Sequence, residues 1–306
     1  MAVLLGLCIT QWFGIEGRRT IGALQALTPY VLLAAVPVAV IATTTRRHPL
    51  ALAALIPLVS LLALTFPIVF HDHPPTAVAG SPQVSIAFGN TYAWNQRPDL
   101  TAAAMATSGA DVLVMVEVMP WLRTDVDELV VPGDYPYRKE VLDQGTENVV
   151  LWSRYPIVEG GIVEIGGRPA ADVVLDVDGR ELRVIGIHTV PPTTDADAWA
   201  AQLIAIGDHL ASSTLPTIVV GDFNASRFHP GFRRLLDRGW QDSHEALGHG
   251  WSMSWPMDHG LLPPSFVRID HALFGRGATP VKLRDLRLPG SDHKGFVATF
   301  GFTSAA

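Results

Sequence analysis

Hydrophobic positions fall into two regimes along this chain. Up to residue 71 they form long runs, and beyond residue 83 they come in short runs punctuated by Gly, Pro, Asn and Asp. Ile21 to Thr43 and Leu50 to Phe70 contain no charged side chain. Each exceeds the ~20 residues that carry a helix across ~30 Å of hydrocarbon. Pro29, Pro37, Pro57 and Pro67 are tolerable in such helices. Arg46, Arg47, His48 and Pro49 form a short basic loop between the two stretches. Two spanning helices are expected, since nearly uncharged runs of this length outrun an ordinary core. Met1 to Phe13 is apolar but too short to span comfortably. It lacks a basic start and an Ala-x-Ala site, so a cleaved signal peptide is not expected.

From residue 84 the short runs predict a globular domain. Strands are expected at 84–89, 111–117, 147–152, 157–165, 171–177, 182–188 and 217–221. Others are expected near 251–255, 266–274, 280–288 and 294–302. Asp178-Gly179 marks a hairpin turn. Helices are expected at 98–108, 124–130, 194–211 and 230–238, the third carrying Trp199, Leu203, Ile206 and Leu210 at helical spacing. Many strands with helices before and between them indicate two packed sheets with helices outside. Between the two regimes, residues 72–83 with Pro74, Pro75, Gly80 and Pro82 read as an extended linker. His71 and His73 lie at its start without further ligand types nearby, so a solvated tether is expected there.

Charge narrows the class. The mean hydropathy of +0.27 owes its height to the first 71 residues. Those contain only Glu16, Arg18, Arg19, Arg46 and Arg47 as charges, out of 22 basic and 29 acidic residues in all. The remainder therefore keeps 18 basic and 28 acidic residues. That balance works against a surface that tracks nucleic-acid phosphates. The single Cys8 allows no intrachain disulfide. Arg46 and Arg47 in a tight loop favour a cytoplasmic loop and an extracytoplasmic domain; Arg18 and Arg19 argue the other way, diluted by Glu16.

The chemistry-bearing residues recur where apolar runs end. Asn90 follows Val84–Gly89, Glu117 follows Val112–Val116, and His188 follows Leu182–Ile187. Thr217–Val220 runs through Gly221 into Asp222, Phe223 and Asn224, and in an extended turn Asp222 and Asn224 point to one side. Asp270 and His271 interrupt one apolar run, while Asp292 and His293 open the last. Six strands delivering Asn, Glu, His and Asp to their ends describe one shared rim. Without clustered Cys or a His-x-x-x-His spacing, acids and amides favour a hard cation such as Mg²⁺ or Mn²⁺ over structural zinc.

This ordered set resembles the endonuclease/exonuclease/phosphatase superfamily, the DNase I-like fold. The matching pieces are Phe88-Gly89-Asn90, Val116-Glu117, Gly186-Ile187-His188, Gly221-Asp222-Phe223-Asn224, Arg268-Ile269-Asp270-His271 and Ser291-Asp292-His293, spread over residues 84–302. The resemblance implies an α+β fold. This would be a four-layer αββα sandwich of two mostly antiparallel sheets at 84–306, here preceded by N-terminal transmembrane helices at 1–71. It also implies metal-assisted hydrolysis of a phosphate ester. Glu117 would bind the metal beside Asn90, with Asp270 and Asp292 as further ligands. Asp222 would deprotonate the attacking water, and Asn224 would hold a phosphate oxygen. His188 and His293 would donate to the phosphoryl oxygens, with Asp292 orienting His293 and Asp270 supporting the metal shell or the histidines.

Several neighbouring residues carry plainer readings. His271 is expected to be structural, Ser153-Arg154-Tyr155-Pro156 a structural corner, and Lys294 a solvated strand residue. Asn95 is a candidate pocket polar group, and Trp251, Trp255 and Pro256 either wall the site or fill core. Nucleases of the superfamily carry basic loops, whereas this domain has only Lys139, Lys282 and Lys294 as lysines. A small phosphate ester or a lipid headgroup is therefore favoured over DNA, with the membrane as the other contact and no protein partner expected. The alternatives are a nuclease on extracellular DNA and a non-catalytic binding module that keeps the fold.

Overall fold

The computed structural model describes all residues except 72, 121–127, 129–133, 142–144, 258–264 and 305–306. Two six-stranded sheets lie face to face. The first runs, edge to edge, β11 (Ala278–Arg287), β12 (Lys294–Phe302), β1 (Gln83–Asn90), β2 (Val112–Val116), β4 (Val149–Ser153) and β3 (Tyr137–Val141). The second runs β5 (Ile157–Ile165), β6 (Arg168–Val177), β7 (Arg180–His188), β8 (Thr217–Asp222), β10 (Asp270–Phe274) and β9 (Gln241–Asp242). Each sheet holds a single parallel pair, β1 with β2 and β7 with β8, and its other pairs are antiparallel.

Period-two side chains sort the strands between three cores. Val84, Ile86 and Phe88 of β1 and Val112, Val114 and Val116 of β2 point into the space between the sheets. There they meet Val184 of β7 and Ile218 and Val220 of β8. Ala87, Leu113 and Met115 point outward under helix α6 (Pro98–Ala106), against Ala102 and Met105. On the far side Ile185, Ile187 and Val219 point outward under α7 (Ala196–Ala211) and α8 (Pro230–Asp237). There they pack on Trp199, Leu203 and Phe232. The result is helix, sheet, sheet, helix.

The two parallel pairs decide where the site lies. A parallel pair needs a crossover, here one containing α6 in the first sheet and α7 in the second. Both crossovers bring the carboxyl ends of their strands to one side: Asn90 aligns with Val116, and His188 with Asp222. The antiparallel partners β10 and β12 begin on that same side, Asp270 opposite Asp222 and Lys294 just past His293.

Several expected elements differ. The 266–274 strand shrinks to Asp270–Phe274, and 251–255 to a single bridge between Trp255 and Val267. Ser254 Oγ accepts from the Ile269 and Asp270 N–H groups and so replaces the ladder there. β3 was not anticipated. Its Tyr137-Arg138-Lys139-Glu140-Val141 is a charged edge strand without an apolar run. β9 and a one-turn helix α9 (Ser243–Ala246) were also missed. The helix expected at 124–130 falls outside the described residues apart from Glu128. The linker is extended but laid on the sandwich, with Thr279 Oγ1 donating to the Pro75 carbonyl and Val78 N–H to that of Phe302.

In the N-terminal region, α1 (Ala2–Phe13) precedes a broken stretch. Ile21–Thr43 is not one helix: it forms α2 (Arg19–Ala26), α3 (Thr28–Leu33) and α4 (Ala35–Thr44), with a 69° bend after α2. Pro29 supplies the reason, because it has no N–H to bond back to Gln25 and its ring crowds that carbonyl. Thr28 Oγ1 donates to the Gln25 carbonyl and accepts from Gln11 Nε2, which fixes the corner. α5 (His48–Val69) is one helix long and apolar enough to cross a membrane; the bent α2–α4 segment makes a second if it is one span. Only 28% of α5's apolar window is buried, and Leu52, Val59 and Leu62 on it are more than half exposed.

Candidate active site

At the shared strand ends a cavity of about 470 Å³ opens between the two sheets and α2. Asn90, at the end of β1, ties its two halves together. Its Nδ2 donates to Glu117 Oε1 at 3.0 Å in its own sheet and to Asp222 Oδ2 at 3.1 Å in the other. Glu117 stands just past β2 with φ at +56°, a left-handed conformation that costs a non-glycine residue of order 1–3 kcal/mol. That turn lets Oε2 accept the Ala93 N–H at 2.8 Å while Oε1 stays in the cavity. Asn224 is also left-handed, at +46°. Its N–H donates to Asp222 Oδ1 at 2.8 Å, and its Nδ2 donates to the Thr189 carbonyl.

Two imidazoles face Asp222 from opposite sides. His188 Nδ1 lies 3.1 Å from the Thr146 carbonyl, which can only accept, so that nitrogen carries the proton. Its Nε2 then sits 3.7 Å from Glu117 and 3.9 Å from Asp222. His293 Nδ1 is 2.8 Å from Asp270 Oδ2, which leaves Nε2 facing Asp222 at 3.8 Å and Asp292 at 3.7 Å. Asp270 therefore orients His293, in place of the expected Asp292. Asp292 instead accepts from Trp255 Nε1 at 3.2 Å.

Burial and like charge set the electrostatics. Burial first, and then Asp270, push the Asp222 carboxyl up to about 8. Burial also raises Asp292. Burial would lower His293, but Asp270, Asp222 and Asp292 outweigh it and hold that imidazole up at about 10. At His188 burial dominates and lowers the value, with Glu117 opposing. Carboxylates crowded in this way suit a cation. Asp270 Oδ1 and Asp292 Oδ1 are buried without a hydrogen-bond partner, and ligand atoms of Asp222, Asp270 and His293 lie within 4.8 Å of one another. The donor set is oxygen-rich and free of thiolate, which fits a hard divalent ion. Its tightest group is Asp222, Asp270 and His293, and Asn90 links Asp222 to Glu117.

Every residue expected at the rim is thus brought to this one place. Asn95 is not: its Nδ2 donates to the Thr91 carbonyl and to Thr101 Oγ1, holding the loop after β1. His271 is structural, its ring between Asp242 and the Ala225 carbonyl. Ser153 Oγ bonds the Tyr155 backbone, closing the corner. Trp255 walls the cavity, whereas Trp251 packs toward Phe228 away from it. Ser291 escaped notice in the sequence. Its Oγ donates to the Asn90 carbonyl and accepts the His293 N–H, locking the start of β12 to the end of β1. The Ser-Asp-His triplet was visible, but nothing distinguished its serine from an ordinary turn residue. The contribution of α2 was also missed: Gly22, Ala23, Ala26 and Leu27 line the cavity.

The model of the Endonuclease/Exonuclease/phosphatase family matches residues 45–293, and the chain belongs to that family. Among curated proteins, a UPF0294 protein of Yersinia pseudotuberculosis is 32% identical over 134 residues, covering 40% of this chain and 44% of the relative. A UPF0294 protein of Klebsiella pneumoniae is 44% identical over 48 residues, covering 16% of this chain and 18% of the relative. The matches thus span less than half the length of these curated relatives. Among solved structures, D. rerio TDP2 complexed with single strand DNA product superposes with a TM-score of 0.61 at 18% identity, covering 72% of this chain and 99% of that one. A family protein of Leptotrichia buccalis gives 0.55 at 17% identity, covering 70% and 98%. At these identities the structural likeness speaks for the fold.

Proposed function

We propose that this member of the Endonuclease/Exonuclease/phosphatase family is a membrane-anchored hydrolase of phosphate esters that works with Mg²⁺ or Mn²⁺. The observation that carries the reading is the Asn90 amide, which joins Glu117 and Asp222 across the two sheets at 3.0 and 3.1 Å. Glu117 would hold the cation, with the unpartnered oxygens of Asp270 and Asp292 as further donors, and Asn90 would join through Oδ1, which accepts the Tyr92 N–H. A divalent ion bound there polarises a phosphoryl oxygen and offsets charge on the leaving group. Asp222, aligned by the Asn224 N–H, takes the proton of the attacking water. A cation bound beside it would favour the ionised carboxylate that this transfer needs. His293, steadied by Asp270, presents Nε2–H to the phosphoryl oxygens as charge grows. His188, its Nδ1–H held by the Thr146 carbonyl, turns Nε2 toward Glu117 and Asp222. Asn224 adds a polar contact at the cavity wall.

The substrate is a small phosphate ester or a lipid headgroup. A nuclease role on extracellular DNA is the competing reading, prompted by the D. rerio complex with a DNA product. The acidic domain opposes it, and plasmid cleavage that collapses with added salt would favour it. Arg46 and Arg47, exposed between α4 and α5, support a multi-pass plasma-membrane anchor with the tip of the hairpin inside and the domain outside. A domain that resists external protease in intact cells, and is cleaved only after lysis, would refute that orientation.

The test of activity uses the full-length chain in detergent with bis(p-nitrophenyl) phosphate. Turnover should require Mg²⁺ or Mn²⁺, stop with a chelator, and fall about 10²–10⁴-fold in Asp222→Ala and in His293→Ala. Turnover that persists in both variants overturns the assignment.

A further inference from the structure

Beside the polar rim the cavity carries a large apolar surface. Ala23 and Ala26 of α2, Leu27 just after it, and Trp255, Phe266 and Val267 line it, with Trp255 Nε1 bonded to Asp292 of the rim. Phosphate chemistry needs no such surface. An apolar wall a few ångströms from a phosphate-handling rim calls for a ligand with both characters.

α2 is a built part of this wall. Glu16, whose side chain is 5% exposed, accepts the Gly231 N–H at 2.8 Å and the Arg234 guanidinium at 2.5 Å. Gln11 accepts from Arg233 Nη1. His229 Nε2 lies 3.0 Å from the Gly22 carbonyl, and a Cβ at Gly22 would come within 3.2 Å of Pro192, so helix and domain are in close contact. At the other end Tyr30 donates from its hydroxyl to the Phe266 carbonyl, fixing the lip of the cavity to α3. Beyond Leu27, α3 and α4 carry the exposed Leu33, Val36 and Val40, on the segment assigned above to the membrane. Tyr30 thus ties the cavity's lining residue Phe266 to that segment.

We propose that the substrate is an amphiphile, a phosphate ester carrying an alkyl or acyl chain, and that α2 with Trp255 and Phe266 binds the chain while the rim holds the phosphate. The chain passes from the bilayer along α3 and over Leu27, so that the ester reaches Asp222 without leaving the membrane surface. This rests on the phosphoester reading for the headgroup.

The test is binding, with hydrolysis as a separate readout. Full-length chain in nanodiscs, with Mg²⁺, is titrated calorimetrically with methyl-, butyl- and hexylphosphonate against empty-nanodisc blanks. Burying a methylene is worth about fourfold in affinity, so hexylphosphonate should bind at least about tenfold more tightly than methylphosphonate even if its chain is partly covered. Ala26→Trp, which fills the wall, should reduce that ratio to below about threefold, and Leu27→Asn should do so independently. Equal affinities across the series overturn the proposal, as does a ratio that either folded variant leaves intact. If neither variant folds, the wild-type ratio decides. A chain that shows the ratio but cleaves no bis(p-nitrophenyl) phosphate overturns the hydrolase reading and keeps the apolar wall. One that cleaves the diester without the ratio does the reverse.

Discussion

The polar rim and the apolar wall line one cavity but are held in different ways. Rim residues sit at strand ends inside the sandwich, and their hydrogen bonds cross from one sheet to the other, as from Asn90 to Asp222 and from His293 to Asp270. The wall belongs to α2, an eight-residue helix docked on the domain from outside through Glu16, Gln11 and His229. Buried core strands in general open only near global unfolding, whereas an element docked from outside can open at lower cost. Three perturbations act on one side of this division or the other.

The largest effect is expected within the rim. Asp270→Asn and Asp292→Asn each remove an oxygen offered to the cation, but Asp270 alone holds His293 Nδ1, at 2.8 Å. At saturating Mg²⁺, Asp270→Asn should remain about 10²-fold below wild type, the upper range for losing a carboxylate that orients a histidine. Asp292→Asn should recover to within about tenfold. The ¹⁵N shift of His293 Nδ1 should move in the first variant and stay in the second. Equal deficits with an unmoved shift would return the orienting role to Asp292.

The Asp270–His293 pair also shows what a sequence can and cannot convey. The rim positions were legible because an apolar run, its facing fixed by the core, ended in a polar residue or, at Asp292 and His293, began after one. Strand ends therefore translated directly into a place. Pairings were not legible. Asp292 and His293 are adjacent in the chain, and the family resemblance paired them. Successive residues of an extended chain, however, point to opposite sides, and the carboxylate that reaches His293 comes from β10. The break at Leu27 was hidden for a related reason: Pro29 is compatible with a straight membrane helix, and the corner depends on Gln11, far away in sequence. The wall carried no signal at all. Gly22, Ala23 and Ala26 read as filler in an apolar run, and their placement follows from buried Glu16 and His229, neither of which stood out.

His229 makes the wall sensitive to pH. Its Nδ1 accepts the Ser226 N–H at 2.8 Å, so the proton sits on Nε2, which donates to Gly22. Burial, with Arg233 and His271 adding to it, lowers the imidazole to about 4; Trp199 packs edge-on beside it. The unfolded chain takes up a proton near pH 6.5 and the folded one near 4, so this contribution is complete above 6.5 and is lost as pH falls toward 4. The loss should reach about 2–3 kcal/mol. It should register as a falling Tm between pH 7 and 4 that is reduced in His229→Gln. An unchanged slope in the variant would place the acid sensitivity elsewhere.

The smallest effect belongs to Glu16→Gln. Glu16 is buried, and its oxygens meet a backbone N–H on α8 and the Arg234 guanidinium. Removing its charge leaves the Gly231 N–H with an amide oxygen to bond. Arg234 is about half exposed and returns to water, so the full penalty of a broken buried pair does not apply. About 1 kcal/mol of stability should be lost. That small loss should be confined to the wall: the preference for hexylphosphonate should narrow, while turnover of the chainless bis(p-nitrophenyl) phosphate follows the rim. A matching fall in both would mean that α2 holds the rim as well, and that wall and rim form one cooperative unit.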